Sequence, residues 1–435
     1  MKVAFIVPYV PNQVRTRPYN LIYHLGDLGH QVDVFTIVVD DGDLTDAESL
    51  KSKCRNVYFY RQPLWRSMIN SIMAIPSGKP LQSVYSLQND LNRHLKDIFS
   101  NSNGSSGYDV VHVEHLRGSE YGAFLKSHFP ALPVVWDSVD CISHLFQQAA
   151  NQSMSLFGRI IPRFELSRTR RAEEKLLKMF DHVLVTSEVD RDALAGTIRD
   201  GSTPAPISIV PNGVDQNYFK PDLGVLKETE TLVFSGKMSY HANISMVKYL
   251  VNEIMPTIWN YRPMVRLVIV GKDPPSEIKR MAENPLIQVT GTVSDIRPFL
   301  WQSTVAVVPL RYGAGIQNKI LEAMAVGLPV VTTSKALFSL KVSPGKEVLT
   351  GDTPQEFSAS VLSLLEKPEL GRKIGEAGRD YVRENHDWRR ISGQLVQIYN
   401  HVPHGVVTTV EKAVTAIRTQ PRNLVGKFHK PPRQD

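Results

Sequence analysis

Cysteine is almost absent: Cys54 and Cys141 are the only two in 435 residues. One disulfide is arithmetically possible. Two cysteines make neither a secreted disulfide framework nor a zinc-ligand spacing, so a reducing compartment is expected. Long apolar runs are lacking too. No stretch approaches the roughly 18 residues a membrane-spanning helix needs, so any membrane contact would be peripheral. The opening MKVAFIVPYVP imitates a signal peptide, but Pro8 interrupts it and no small-residue cleavage site follows. It reads as a first buried strand, and a cytoplasmic protein is expected. A large excess of one charge is also missing: 50 Lys+Arg against 43 Asp+Glu give +7. A dedicated nucleic-acid binder shows a denser basic stripe with interleaved aromatics, so no nucleic-acid partner is expected. An anionic ligand and an anionic membrane surface suit the number equally. No Gly-x-Gly-x-x-Gly follows a first strand in either half, which argues against a dehydrogenase.

What is present is ordinary globular material, 42% apolar and 21% charged, long enough for about two or three domains. Short β-branched runs recur between longer helical stretches. In the first half they are Val3–Val7, Val32–Ile37, Val57–Tyr60, Val110–Val113, Val134–Trp136, Val183–Thr186 and Ile207–Val210. They are near-continuous rather than alternating, as in parallel strands covered on both faces. The second half repeats the pattern at Leu232–Phe234, Leu267–Val270, Ile287–Val289, Val305–Val308 and Val330–Thr332. Helices are predicted over Tyr19–Leu28, Ser245–Trp259, Ile316–Val326, Pro354–Leu365 and Leu370–Glu384. Two β–α series imply an α/β protein of two doubly wound domains, with the break in 213–230. Residues 401–435 carry six Lys/Arg against two acids and read as a largely disordered basic tail with one short helix near 409–419.

The richest segment is RYGAGIQNKILEAMAVGLPVV, 311–331. A strand, a glycine loop and a helix in that order form a phosphate-binding arrangement, because glycines admit the backbone and the helix start offers free N–H groups. With the helix starting near Ile316, Gly315, Lys319 and Glu322 share one face. A cation there can neutralise phosphate, and a carboxylate one turn on can accept from ribose hydroxyls. A glycine turn followed by a surface Lys–Glu pair is the equally weighted plain alternative.

This segment resembles the C-terminal signature of retaining glycosyltransferases of family 4, which have the GT-B fold. PNGVD (211–215), FSGKM (234–238), VIVG (268–271), VTGTVSDI (289–296) and LEAMAVGLPVV (321–331) occur in the family's order, and LGDLGHQVDVFT (25–36) is similar to its opening. The resemblance covers about residues 1–400. It implies a Rossmann-like acceptor-side domain at 1–215 and a nucleotide-sugar-binding domain at 224–387. A crossover helix at 388–400 and the tail at 401–435 complete the division. It implies that Glu322 contacts ribose, that the backbone of Ala314, Gly315 and Ile316 cradles the diphosphate, and that the turn Gly291–Val293 holds the base. Gly236 and Lys237 end the first strand of that domain, where Lys237 suits a phosphate. The family's first motif Glu is replaced by Ala314, and Lys319 is read as restoring charge, a variant similar to a bacterial exopolysaccharide-type branch.

In the first half, Arg15 and Arg17 precede a helix, and Arg17 is read as an even-weighted phosphate ligand against a solvated loop Arg. His112, Glu114 and His115 cluster at a strand end. The resemblance puts a donor-sugar His here, and His115 is favoured because His112 lies within the strand. A metal cluster is the disfavoured alternative, since GT-B enzymes do not need a bound metal for donor phosphate; no cofactor is expected. Asp137 and Asp140 could hold acceptor hydroxyls or cap a helix. The segment 63–76 is an acceptor or membrane-contact patch or an ordinary core helix, and the basic helix 159–178 is either lipid-facing or a solvated face. The resemblance implies transfer of a hexose from a nucleotide-diphospho-sugar to a glycan or lipid-linked acceptor, with retention and no metal. A non-catalytic GT-B subunit and a GT-B epimerase are the alternatives.

Overall fold

The computed structural model describes residues 1–12, 15–100, 107–152, 156–222, 224–226, 228–312 and 315–403. The expected short helix near 409–419 lies outside them, as does Ala314. Two parallel sheets organise the chain. The first holds β1 (Lys2–Val7), β2 (Gln31–Val38), β3 (Asn56–Arg61), β4 (Val110–Glu114), β5 (Val134–Val139), β6 (His182–Val185) and β7 (Ile207–Ile209), in the order β3-β2-β1-β4-β5-β6-β7. The second holds β8 (Thr231–Ser235), β9 (Arg266–Val270), β10 (Ile287–Gly291), β11 (Val305–Val308), β12 (Val330–Thr332) and β13 (Leu349–Thr350), in the order β10-β9-β8-β11-β12-β13. Each sheet is covered by helices on both faces, which is why β1 and β11 are apolar and buried throughout their centres. No described helix is long and apolar enough to cross a membrane.

The strand order reverses between β1 and β4 in one sheet and between β8 and β11 in the other. Crevices open at the carboxyl ends of strands at such points. The segments issuing there carry Arg17 and His115 in the first turns of their helices in the first half, and Lys237 and Gly315 in loops in the second. Topology alone therefore gathers the sequence candidates at two facing sheet ends.

Three local differences from the expected elements have physical causes. The helix expected over Ser245–Trp259 runs as His241–Tyr249, a π-turn Leu250–Ile254 and Met255–Tyr261. Pro256 cannot donate to a carbonyl one turn back and its ring crowds it, so the helix widens just before. The helix expected from Ile316 begins at Asn318, so Gly315 stands in the loop, not on the helical face. Ile316 instead turns into the core of the second sheet. β13 is two residues long and shows no periodicity to read.

The last described helix returns to the first half. Trp388–His401 buries Trp388, Ile391, Leu395 and Tyr399 in one core with Val3, Phe5, Leu21 and Leu25. Asp387 caps this helix through the Arg390 N–H at 2.9 Å. Beside it runs the segment joining the sheets: Val214 N donates to His386 O at 2.8 Å, and a Cβ on Gly213 would stand 2.7 Å from the Trp388 ring. Both connections between the halves thus lie together as one hinge. Trp388→Ala is expected to destabilise the protein by about 3–5 kcal/mol in urea unfolding. A loss below about 1 kcal/mol would show that the returning helix is held elsewhere.

Candidate functional site

A cavity of about 360 Å³ lies between the two halves. Glu322 and Asn318 line it from the helix Asn318–Ala325, Ser294 and Ile296 from the turn after β10, and Thr16 and Tyr19 from the first helix, Thr16–Asp27. Burial pushes the Glu322 carboxyl up to about 7, with Lys319 opposing the shift. Burial likewise pulls the Lys319 ammonium down to about 8, with Glu322 opposing. Lys319 Nζ donates to Asn243 Oδ1 at 3.1 Å, and Asn243 Nδ2 donates to Lys237 O at 2.8 Å. One asparagine therefore joins the glycine turn after β8 to the helix after β11. Glycine is demanded here from two sides: Gly236 stands at φ 155° with a would-be Cβ 2.8 Å from Asn243 Nδ2, and a Cβ on Gly271, after β9, would stand 1.8 Å from the Gly236 carbonyl oxygen. Lys237 is exposed beside it. Gly291 ends β10 with φ 69°, and Val293 packs on the second core.

The first half supplies a second cavity of about 330 Å³, lined by Tyr9, Glu114, His115, Arg117 and Val139 among others, and sharing Thr16 with the first. His115 opens the helix His115–His128 at φ 60°. Val139 stands at φ 68° where β5 slips register against β6. Positive φ is costly for a side-chain-bearing residue and most costly for a β-branched one, roughly 1–3 kcal/mol each. Both strained residues line this one cavity. Burial and the Arg117 charge hold the His115 imidazole down to about 4, so it is neutral at physiological pH.

Beneath this cavity lies a buried charged cluster. Arg17 Nε donates to Asp137 Oδ2 at 2.8 Å and Nη2 to Oδ1 at 3.1 Å. Nη1 donates to Val210 O at 2.9 Å and to Asn212 Oδ1 at 3.1 Å. Arg17, weighed from sequence between a phosphate ligand and a solvated loop residue, is buried and pairs with a carboxylate and with the segment joining the sheets, while also lining this cavity. His112 stacks on Phe5 at 4.1 Å between centroids, and its Nδ1 shares a hydrogen with Tyr399 Oη at 2.7 Å. Tyr9 Oη donates to Glu114 Oε1 at 3.0 Å, and burial pushes the Glu114 carboxyl up. His112, Glu114 and Asp137 offer atoms within 4.8 Å of one another that could hold a metal ion. The fit is poor: the Arg17 cation already faces both Asp137 oxygens, and a dication would sit against it.

Across the cleft, a Cβ on Gly315 would stand 2.8 Å from Asp140 Oδ1. Asn318 Nδ2 donates to Thr16 Oγ1 at 3.4 Å, and Asn212 Nδ2 to Asn318 Oδ1 at 3.5 Å. Burial, aided by Asp190, pushes the Asp140 carboxyl up to about 7. Asn243 thus links Lys319 to Lys237, Glu322 lines the cavity three residues beyond Lys319, and Gly315 lies opposite Asp140. His115 lines the first-half cavity. Sequence reasoning missed Asn243, Asn212, Asn318 and Tyr399. Only the PNG turn signalled any of these, and it spoke for a turn rather than for its side chain.

Comparison with known proteins agrees with this architecture. Residues 14–218 match the family described as Glycosyltransferase Family 4, and residues 229–367 match Glycosyl transferases group 1. An uncharacterized 44.6 kDa protein in the cps region of Klebsiella pneumoniae is 22% identical over 380 residues, covering 85% of this chain and 92% of its own. Among solved structures, sucrose-phosphate synthase from Thermosynechococcus elongatus superposes with a TM-score of 0.67 at 18% identity, over 92% of this chain and 98% of its own. The HepE protein of Anabaena, solved with UDP and glucose, does so at 0.64 and 15%, over 92% of this chain and 100% of its own. At such identities the structures speak for the fold, two Rossmann-like halves facing a cleft in the GT-B manner.

The raised Asp140 carboxyl makes a pH prediction. Its folded value lies above its unfolded one, so it opposes folding increasingly as pH rises from about 4 to about 7. Asp140→Asn is expected to raise stability by about 1–2 kcal/mol at pH 8 and to have little effect near pH 4, read as melting temperature against pH. An equal gain at both pH values would place its cause outside titration.

Proposed function

We propose, from the premise that this chain is a family 4-like glycosyltransferase with the GT-B fold, that it moves a hexose from a nucleotide-diphospho-sugar to an acceptor hydroxyl with retention. The observation that carries this reading is the interhalf cavity lined by Glu322, with Lys319 on the same helix linked through Asn243 to the Lys237 carbonyl. A nucleoside fits its apolar side, with Glu322 accepting from ribose hydroxyls. Its raised carboxyl becomes a useful acceptor once a ligand donates to it. The diphosphate then lies toward the loop at 315–317, with Lys237 and Lys319 as cations. That HepE was solved with UDP and glucose supports a nucleotide donor of this kind.

The chemistry follows from where charge develops. The bond from the anomeric carbon to the diphosphate oxygen breaks, and the electron pair leaves with the nucleotide diphosphate. Fixed N–H groups and the two lysines stabilise that charge, each good donor contributing about 3–4 kcal/mol. The acceptor oxygen bonds the same face of the anomeric carbon, and its proton passes to the departing phosphate oxygen. His115, neutral and held by a strained backbone, suits a hydrogen bond to a sugar hydroxyl. No residue in this scheme requires a metal or another cofactor. The cps-region relative supports an acceptor in polysaccharide or glycoconjugate synthesis, a glycan or lipid-linked sugar.

A thermal-shift screen against nucleotide diphosphates and nucleotide-sugars tests the donor reading. One nucleotide should stabilise the protein selectively, and Glu322→Ala should weaken it by about 10–100-fold, the ~1.5–3 kcal/mol of a charged hydrogen bond. No shift with any nucleotide at millimolar concentration would reject the reading. Retention is read separately, by NMR of the product's anomeric configuration.

A further inference from the structure

Sixteen large hydrophobic side chains are exposed among the described residues, and nine of them sit on two neighbouring helices, Leu64–Ala74 with its cap and Leu156–Met179. Trp65, Met68, Ile72 and Ile75 recur at i, i+3, i+7 and i+10, one full face of the first. Its inward face is made by Ser67 and Ala74. Met73 is 72% exposed and Ile72 63%, more than a core helix tolerates. On the second helix, Ile161, Phe164, Arg168 and Arg171 follow the same spacing.

The two faces are fixed side by side. Arg168 Nη2 donates to Ile75 O at 2.6 Å, and its guanidinium lies 4.0 Å from the Phe164 ring centroid. Glu165, the acid in this stretch, is turned inward to accept from Leu81 N at 2.8 Å. The rim is consequently cationic: Arg66, Arg163, Arg168 and Arg171 border the apolar face. Exposed apolar area of this extent marks an interaction site. Apolar side chains within a basic rim match the headgroup region of an anionic bilayer, where the arginines meet lipid phosphate and the apolar groups enter the acyl boundary. A second copy of this chain would bring the same arginines into mutual repulsion. The basic segment 401–435, +4 in charge, would be repelled likewise.

We infer that the face formed by the helices Leu64–Ala74 and Leu156–Met179 is a docking surface for an anionic lipid bilayer. Its position gives the docking a use. The first helix packs on Leu81–Tyr85, and that on His115–His128. Arg117 lies over the Tyr85 ring at 5.4 Å and lines the cavity that holds His115. An acceptor anchored in the bilayer would meet the acceptor-side cavity from there. Only this last step rests on the proposed function.

Flotation of the full chain with vesicles of phosphatidylcholine, with and without phosphatidylglycerol, tests the surface without any sugar chemistry. Binding is expected only with the anionic lipid. Trp65→Ser/Met68→Ser/Met73→Ser and, separately, Arg163→Glu/Arg171→Glu should each weaken it by about tenfold or more, at unchanged melting temperature and unchanged nucleotide-induced stabilisation. Binding that survives both variants overturns the inference. So does a wild type that ignores both vesicles. A concentration-dependent dimer that the triple variant abolishes, with no vesicle binding, assigns the face to a second copy and overturns it too.

Discussion

Everything about the cleft rests on the buried pairing of Arg17 with Asp137. Burying both ions costs several kcal/mol each in lost hydration, and a lone ion pair does not recover that. Here the fork geometry of arginine does, because one planar group reaches both carboxylate oxygens and, from Nη1, the Val210 carbonyl and Asn212. A lysine would offer one point charge and leave acceptors unfilled. The consequence is mechanical. The first helix, the end of β5 and the segment joining the sheets become one body, so Asn212 and Gly213 have a fixed place. His386 Nδ1 then meets Asn212 O at 2.6 Å, and the returning helix locks on. Its last turn reaches back to the same cluster through Tyr399 and His112.

On that rigid base the first-half cavity can hold strain. His115 and Val139 occupy backbone conformations their side chains oppose, and they do so at adjacent strand ends. Such conformations persist only where surrounding packing over-determines them. The packing here is concrete: Trp136 Nε1 donates to His115 O at 3.3 Å, and Val139 N donates to Asp137 Oδ1 at 3.2 Å. The side chain of Asp137 therefore serves both the ion pair and the strained turn. Loss of one would be felt at the other.

The strand series was readable because parallel strands covered on both faces leave near-continuous apolar runs, and twelve of the thirteen described strands overlap such a run in the sequence. The glycine loop before Lys319 was readable for the same local reason. What failed were properties set by distant partners. Arg17 looked available because Asp137 lies 120 residues on and nothing near Arg17 announces it. Asn243 joins two turns 76 residues apart from Lys319, with no periodicity to mark it. The helix start slipped from Ile316 to Asn318 because Ile316 gains more from the core than from one more helical residue. The helix at 64–74 left two readings open, core or contact, since an apolar face on a helix says that something should cover it but not what. Its exposure decides against the core.

The contacts that join the halves differ in strength by position, and that difference describes how the cleft can work. At the hinge they are short and buried: the His386–Asn212 bond, the Val214–His386 bond and the Gly213–Trp388 approach. Away from it they are longer or solvent-exposed: Asn318 to Thr16 at 3.4 Å, Asn212 to Asn318 at 3.5 Å, and the exposed ion pair of Lys341 with Glu188 at 2.8 Å. Hydrogen bonds of that length to groups water can also serve add little to stability. These contacts hold the halves less firmly than the paired segments do. Across the cleft, Asp140 faces Gly315. The carboxyl stands where an anion on the glycine loop would come near it, and its repulsion grows as it ionises. An anion held beside Gly315 would therefore favour this carboxyl protonated or turned away.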